Sequence, residues 1–453
     1  MRNSVQTSSH LRFYCLLGLL LGLTFLRFAL RLPVPGFALL AVVTVMALLG
    51  DQDELAALCG CFIPLCEYIS PTYVILLLVV VFLLKYRKDI RIDLTILPLV
   101  FLVIWELLHC FASGFAPVEF VSDVAPLALI AVFMWGMRRS IDYPFVVRVL
   151  SLTTLAVCVI LFGQLWVSTG FDLGAAILGL QRLGTVIDSS SGVLTVGAGG
   201  VNPNTLGIIC VLACGGLMQL WLSGQSKKTD WVMMAALLVF GTTSSSRTYL
   251  VCLAFMLLLV VFSLKGSLKQ KIKITIGLVI LVLLALLVLY LIFPELMAYF
   301  FGRFQGGDLT TGRWGLMQRY HEYIFSSPKT AFFGIGLQEF GERLIYEYAA
   351  ATHVPHNGVQ EILVAWGIIG TVVFALFVAC MIWSARRMSG KRSLIHWIPL
   401  LVLLLKVQAG QMITSEYTML CFVYAYLSLS YCFDRPAAGP EQKEKEDTCP
   451  CSV

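Results

Sequence analysis

Arginine and histidine side chains stand out in the polar segments that interrupt a strongly apolar sequence. Arg182, Arg247 and Arg313 each lie among glycine, serine or threonine residues, and His356 follows the longest polar segment. The guanidinium group of arginine is a planar fork of donors that binds phosphate or carboxylate with two hydrogen bonds. Histidine accepts and releases a proton near neutral pH. These residue types predict a site that binds an anion and moves a proton.

The first polar segment, 169–202, contains Arg182 and ends at Asn202-Pro203-Asn204. Asparagine next to proline at the start of an apolar run predicts the beginning of a helix, with Asn204 as its cap. Arg182 and the N-terminus of this helix would then form a wall that faces an anion. The alternative is a flexible loop that ends in a capped helix.

The second polar patch, 242–249, is short and rich in hydroxyl groups, and it contains Arg247 between two apolar runs. An arginine at membrane depth is costly unless it has a partner or a function. An interfacial side chain that extends to water is the alternative. It leaves the neighbouring hydroxyl groups unexplained.

The longest polar segment, 294–355, contains Thr311-Gly312-Arg313-Trp314 and then Arg319. Apolar residues recur at helical spacing between Arg313 and Phe325, which predicts an amphipathic helix at the membrane surface. Its aromatic side chains are expected to anchor or pack this helix rather than to bind sugar.

The segment ends at His353-Val-Pro-His356-Asn357, with Glu361 one helical turn further on. Asn357 is expected to cap the next helix or to orient the imidazole of His356. His353 precedes Val-Pro, which favours extended backbone and carries this histidine away from the helix. A purely structural His356 at the helix start is the alternative.

The elements that must position these residues are membrane helices. Of the 453 residues, 59% are hydrophobic and 13% are charged, and the mean hydropathy is +0.87. A soluble domain cannot bury that much apolar surface. Fourteen helices are predicted, at about 13–31, 35–50, 54–69, 71–84, 94–112, 121–137, 145–168, 203–222, 230–243, 247–264, 274–293, 357–383, 394–412 and 416–432.

The basic residues give the orientation. With the N-terminus inside, 22 of the 32 lysines and arginines lie in inner segments and eight lie in outer segments, although the outer segments are longer. This bias follows the positive-inside rule and places 169–202 and 294–355 outside. Seven of the eight outer residues are arginine, which favours anion binding there, although eight residues are a small sample.

Cysteine chemistry and metal binding are not expected in the outer segments. None of the 14 cysteines lies in 169–202 or 294–355, which excludes a disulfide framework there. Cys59-Gly-Cys61 lies in an apolar run, and Cys449-Pro-Cys451 lies in a tail without partner ligands. We therefore expect no metal site and no cofactor.

Five motifs in order resemble the O-antigen ligase and O-antigen polymerase superfamily over about residues 180–385. They are Arg182 with Asn202-Pro203-Asn204, Ser246-Arg247, Gly312-Arg313-Trp314, Gly334-Ile-Gly336, and His356-Asn357 with Gly367-Ile-Ile-Gly370. The resemblance implies an all-α membrane protein with about 12–14 transmembrane helices, a GT-C-type architecture and one large external loop between late helices.

The resemblance also implies an inverting, metal-independent glycosyltransferase. Its donor would be a glycan on undecaprenyl diphosphate, and its acceptor another glycan or a lipid-linked glycan, with no nucleic acid involved. Arg247 and Arg313 match the family's diphosphate arginines and His356 its acceptor-side histidine. Substrate contacts are expected from Arg182, Arg319, Asn204, Asn357 and Glu361. The family often carries an acid where this chain has Ala365, and Glu361 could substitute for it.

The expected division is 1–168 as N-terminal transmembrane helices, 169–433 as the ligase-like or polymerase-like core, and 434–453 as a disordered cytoplasmic tail. The expected location is the bacterial cytoplasmic membrane, with the catalytic face outside and both termini inside. A transporter or flippase of lipid-linked glycans is the alternative function, and a non-catalytic sensor or scaffold is a third possibility. The sequence does not separate a ligase from a polymerase.

Overall fold

The structure is a computed structural model. It describes residues 2–114, 117–136, 141–173, 183–184, 186–187, 194–195, 200–292, 294, 298, 302, 313–337, 356–389, 393–412 and 415–433. The helices of the first half are α1 (Arg2–Thr24, continued by a π-helical turn at Phe25–Ala29), α2 (Gly36–Leu49), α3 (Gln52–Leu65), α4 (Pro71–Tyr86), α5 (Ile96–Ser113), α6 (Pro117–Gly136) and α7 (Tyr143–Ser168).

The second half continues with α8 (Pro203–Leu222), α9 (Lys228–Thr243), α10 (Arg247–Ser263), α11 (Leu268–Ile292), α12 (Arg313–Ile324), α13 (Pro328–Phe333), α14 (Gly358–Ser389), a 3₁₀ turn at Leu394–Trp397, α15 (Ile398–Val407) and α16 (Glu416–Ser430). Each of the fourteen predicted segments contains a helix. The amphipathic helix predicted from Arg313 onwards is α12 and ends at Ile324.

Among the residues that the structure describes, length and composition identify five helices that are apolar enough to cross a membrane. They are His10–Ala29, Ile96–Ser113, Tyr143–Ser168, Pro203–Leu222 and Gly358–Met388. Shorter apolar helices accompany them at Gly36–Leu49, Pro71–Tyr86, Phe120–Gly136, Arg247–Ser263, Leu394–Val407 and Tyr417–Ser430. The predicted multi-pass, helical membrane protein is confirmed at this level.

The centre of the bundle is formed by α3, α7, α8 and α16, which pack against one another. All 14 residues of α3 are buried. A chain of hydrogen bonds links three of these helices: Tyr143 Oη donates to Gln219 Oε1 (2.6 Å), and Gln219 Nε2 donates to Ser428 Oγ (2.8 Å). The apolar core therefore joins helices from both halves of the chain.

The segment 169–202 is described only in part. Val186–Ile187 pairs antiparallel with Leu194–Thr195 to form strands β1 and β2. This pair of short strands is a local departure from the all-α prediction, since the other regular elements among the described residues are helical.

One end of the bundle is closed by ion pairs, and we call it the ion-pair end. Arg148 donates to both carboxylate oxygens of Asp230, with Arg148 Nη2 3.1 Å from Asp230 Oδ2. The other pairs described here are Arg12–Glu54 (3.4 Å) and Arg387–Asp93 (3.6 Å). At this end α3 and α7 both begin, linked by the Asp142 amide, which donates to Asp53 Oδ1.

Candidate functional site

The opposite end carries the sequence motifs, and we call it the motif end. The Asn202-Pro203-Asn204 motif begins α8 there, but Asn202 is the cap: its Oδ1 accepts from the Asn204 amide (2.9 Å). The prediction of Asn204 as the cap is wrong because Pro203 occupies the first helical position, which makes the preceding residue the cap. Asn204 Oδ1 instead accepts from the Ser246 hydroxyl (2.8 Å).

The contact between Asn204 and Ser246 joins two motifs that are 42 residues apart. Ser246 caps α10 by accepting from the Tyr249 amide (3.2 Å), so Arg247 is the first residue of that helix. The Arg247 side chain is half-buried. Arg182 lies outside the described residues, but its neighbour Leu183 donates its amide to the Thr243 carbonyl (2.9 Å). The start of α8, the start of α10 and the chain next to Arg182 are thus brought together.

A short connection at 408–412 lies beside the start of α14 and is held by three buried side chains. Asn357 Nδ2 donates to the Gln408 carbonyl (3.2 Å), and Glu361, which is fully buried, accepts from the Met412 amide. Lys406 Nζ donates to the Gln411 carbonyl and to Thr418 Oγ1, each at 2.7 Å. Asn357 also caps α14 as predicted, because its Oδ1 accepts from the amides of Val359 and Gln360.

Helix α15, which carries Lys406, packs against α10, the helix that Arg247 begins. Its last residue, Val407, lies beside Gly358 at the start of α14. The starts of α10 and α14 therefore lie at the same end of the bundle as the end of α15. His356, the residue before the Asn357 cap, is half-buried at this position.

Helix α12 packs along the first turns of α14. Gln360 Nε2 donates to the Met317 carbonyl (2.9 Å), and Tyr320 and Ile324 form an apolar cluster with Val364. Burial raises the pKa of Tyr320 to about 12, so this phenol packs as a neutral side chain. These contacts follow one another in the same order along both helices, so α12 and α14 run in the same direction here. Arg313 lies one turn before Met317, and His356 lies one turn before Gln360. The start of α12 at Arg313 is therefore level with His356.

The two glycine motifs meet where α14 is broken. Gly367 has φ 65° and ψ −170°, and a Cβ there would collide with the backbone of Phe332. The other glycine motif bonds to the backbone of α14 just before this break: the amides of Ile335 and Gly336 donate to the carbonyls of Val364 (3.0 Å) and Ala365 (2.7 Å). Ala365, which stands where the family often carries an acid, takes part in this contact through its backbone carbonyl.

Sequence reasoning missed the contribution of α5. Glu106 is fully buried and accepts from the Leu337 amide (3.0 Å) and from Trp366 Nε1 (2.6 Å). Trp105 and His109 on the same helix also contact the motif segments. An acid in an apolar helix was the available signal, but its partners lie more than 200 residues away in sequence.

The structure describes the remaining predicted residues only in part. Arg319 is exposed on α12, and Arg313 begins that helix, but the Arg313 side chain lies outside what the structure describes. His353, Gly312 and the tail 434–453 also lie outside it. Within the described ranges, no three His, Cys, Asp or Glu residues form a group that could hold a metal ion. The roles assigned to the site residues stay predictions, as do the domain boundaries.

Comparison with known proteins bears on this end of the bundle. Residues 231–375 match the family model described as O-antigen ligase. The matched range includes Arg247, Arg313 and His356, and the match confirms the predicted resemblance to the ligase and polymerase superfamily. A search of curated proteins found none that matches the chain.

Proposed function

We propose that this protein, whose residues 231–375 match the O-antigen ligase family, is a membrane glycosyltransferase of cell-surface polysaccharide assembly. It transfers a glycan from undecaprenyl diphosphate to a hydroxyl group of an acceptor glycan. The observation that carries the proposal is the convergence of Arg247, the start of α12 and His356 at one end of the bundle, within the matched range. The proposal takes these residues as the anion-binding and proton-accepting groups of one site.

The arginines act on the leaving group. Negative charge grows on the diphosphate as the bond between the sugar carbon and the phosphate oxygen breaks. Arg247 and Arg313 donate hydrogen bonds to that charge, and Arg182 and Arg319 extend the basic surface around it. Fixed guanidinium groups provide this stabilisation without a metal ion or a cofactor. Lipid diphosphate is the leaving group, and it stays in the bilayer.

The histidine acts on the acceptor. A hydroxyl oxygen of the acceptor attacks the anomeric carbon from the side opposite the diphosphate, which inverts the configuration. His356 takes the proton of that hydroxyl as general base. Asn357 fixes the backbone next to the imidazole through its cap and its bond to Gln408. Asn204 and Glu361 are proposed to shape the substrate site, with Glu361 acting through the 408–412 connection.

The family match favours a ligase or polymerase over the transporter or flippase alternative. It leaves the choice between ligase and polymerase open, because the two differ in their acceptor. The proposed location is the bacterial cytoplasmic membrane, with the motif end outside and both termini inside. Single cysteines introduced at Ser190 and Gln338 test this orientation. An impermeant thiol reagent should label both from the outside, and labelling only from the cytoplasmic side would overturn it.

Arginine-to-lysine substitutions test the function itself. The full-length protein in vesicles is supplied with a lipid-diphosphate-linked glycan and an acceptor, and product is measured for Arg247→Lys and Arg313→Lys. Lysine keeps the charge and loses the fork, so transfer should fall about 100-fold at normal membrane expression. The control is Arg387→Lys, in the exposed pair at the ion-pair end, which should transfer normally. Wild-type output from both test variants would contradict the proposal.

A further inference from the structure

Glu106 is a buried acid whose position the proposed mechanism does not use. It lies in the apolar helix α5, is fully buried, and is distant in sequence from every motif. An ionisable group inside a membrane helix is costly unless hydrogen-bond partners satisfy it. Its partners identify what Glu106 does.

The two carboxylate oxygens of Glu106 hold two different segments. Oε1 accepts from the Leu337 amide (3.0 Å), at the end of the segment 313–337 that contains α12 and α13. Oε2 accepts from Trp366 Nε1 (2.6 Å), immediately before the break in α14. One side chain thus fastens the end of 313–337 to the broken helix.

Two neighbours of Glu106 on α5 contact the same two segments, the end of 313–337 and the part of α14 just before its break. Trp105 Nε1 donates to the Trp366 carbonyl (3.3 Å), and His109 Nε2 donates to the Phe333 carbonyl (3.0 Å). Helix α5 passes so close to Gly336 that a Cβ on this glycine would collide with His109. The Trp105 ring also stacks on Phe333, with ring centroids 5.7 Å apart.

We propose that Glu106 is a positioning residue for glycan transfer, which latches the segment 313–337 onto the bundle. The inference rests on the proposed function, because this segment carries Arg313 at its start. The segment contacts α14 directly through the Gln360–Met317 bond near its start and through the amides of Ile335 and Gly336. Glu106 adds a contact from α5 at Leu337. Loss of the Glu106 contact loosens the Leu337 end of the segment beside the break in α14, which shifts α12 along α14 and with it Arg313 relative to His356.

Glutamine at position 106 tests the latch because it has the size of glutamate but a single acceptor oxygen. Its amide nitrogen is a donor, so either the Leu337 amide or Trp366 Nε1–H now faces another donor instead of an acceptor. Replacing Trp366 by phenylalanine removes the indole N–H, and the glutamine oxygen can then accept from Leu337. Glu106→Gln should therefore be damaging, and Glu106→Gln/Trp366→Phe should be less damaging than the sum of the two single substitutions.

The experiment measures hydrogen exchange and transfer on the same full-length protein in vesicles. In Glu106→Gln, amide exchange in the peptide 334–337 should accelerate about tenfold, because a buried donor has lost its acceptor. Transfer should fall by a similar factor, and the double variant should recover part of both losses. The matched control is Glu54→Gln, a buried acid at the ion-pair end, which should leave exchange at 334–337 and transfer unchanged.

The outcomes separate the latch from the function. Unchanged exchange at 334–337 in Glu106→Gln overturns the latch, and faster exchange with wild-type transfer overturns its positioning role. Losses in the double variant that equal or exceed the sum of the single losses also overturn the assignment. If the wild-type protein transfers no glycan while exchange still responds to Glu106→Gln, the proposed function fails and the latch stands as a contact.

Discussion

The two ends of the bundle use their polar side chains differently. At the ion-pair end, cations meet carboxylates directly, as in the two-pronged contact between Arg148 and Asp230. At the motif end, the described side chains of Asn357, Glu361 and Lys406 bind the backbone of the 408–412 connection. The first arrangement neutralises charge. The second fixes the backbone around Arg247 and His356, so we expect substitutions at the two ends to separate stability from transfer.

The largest expected effect on stability comes from Asp230→Ala at the ion-pair end. Asp230 is buried, and removing it strands the Arg148 guanidinium among buried groups. The free energy of unfolding should fall by about 3–5 kcal/mol. Unfolding in mixed micelles measures the loss, and transfer per folded molecule should stay near wild type. A folded Asp230→Ala protein without transfer activity would break the separation between the ends.

A smaller effect is expected at the break in α14. Gly367→Ala places a Cβ against the Phe332 backbone at a positive φ, which should cost about 1–3 kcal/mol of stability. It should also lower transfer, because the break is what receives the 334–336 backbone. The control is Gly18→Ala in α1, where a Cβ meets open space. Equal behaviour of the two variants would show that the break is unimportant.

The smallest expected loss of stability comes from removing one helix cap at each end of the bundle, and this pair of substitutions compares the two ends directly. Asn357→Ala removes the cap of α14, and Asp142→Ala removes the cap of α7 at the ion-pair end, where Asp142 accepts from the Phe145 amide. Each should lose about 1 kcal/mol of stability. Only Asn357→Ala should also lower transfer, since Asn357 adjoins His356. Parallel transfer assays on the two variants provide the comparison, and equal transfer would argue against a special role for the motif end.

The helices were predictable because each lies in an apolar run, and five of those that the structure describes also have the length that a membrane crossing requires. The boundaries of the helices were less predictable. Helix α3 begins at Gln52, before the predicted start at 54, because Asp51 and Glu54 form a capping box that an apolar pattern cannot show. The role of Asn202 as the cap of α8 could have been predicted from Pro203, which is favoured at the first helical position, but Asn204 was predicted instead. Glu106 was visible as a charge within a span, but its role depends on Leu337, 231 residues away, and only the folded chain brings the two together.

The most direct measurement compares His356→Ala with His353→Ala, each assayed for binding of a lipid-diphosphate-linked donor and for glycan transfer. His356→Ala should bind the donor as wild type does and transfer about 100-fold more slowly, because it lacks the base that takes the acceptor proton. His353→Ala should bind and transfer nearly normally. Equal transfer losses in both variants, or loss of donor binding in His356→Ala alone, would contradict the assignment of His356 to the acceptor at the motif end.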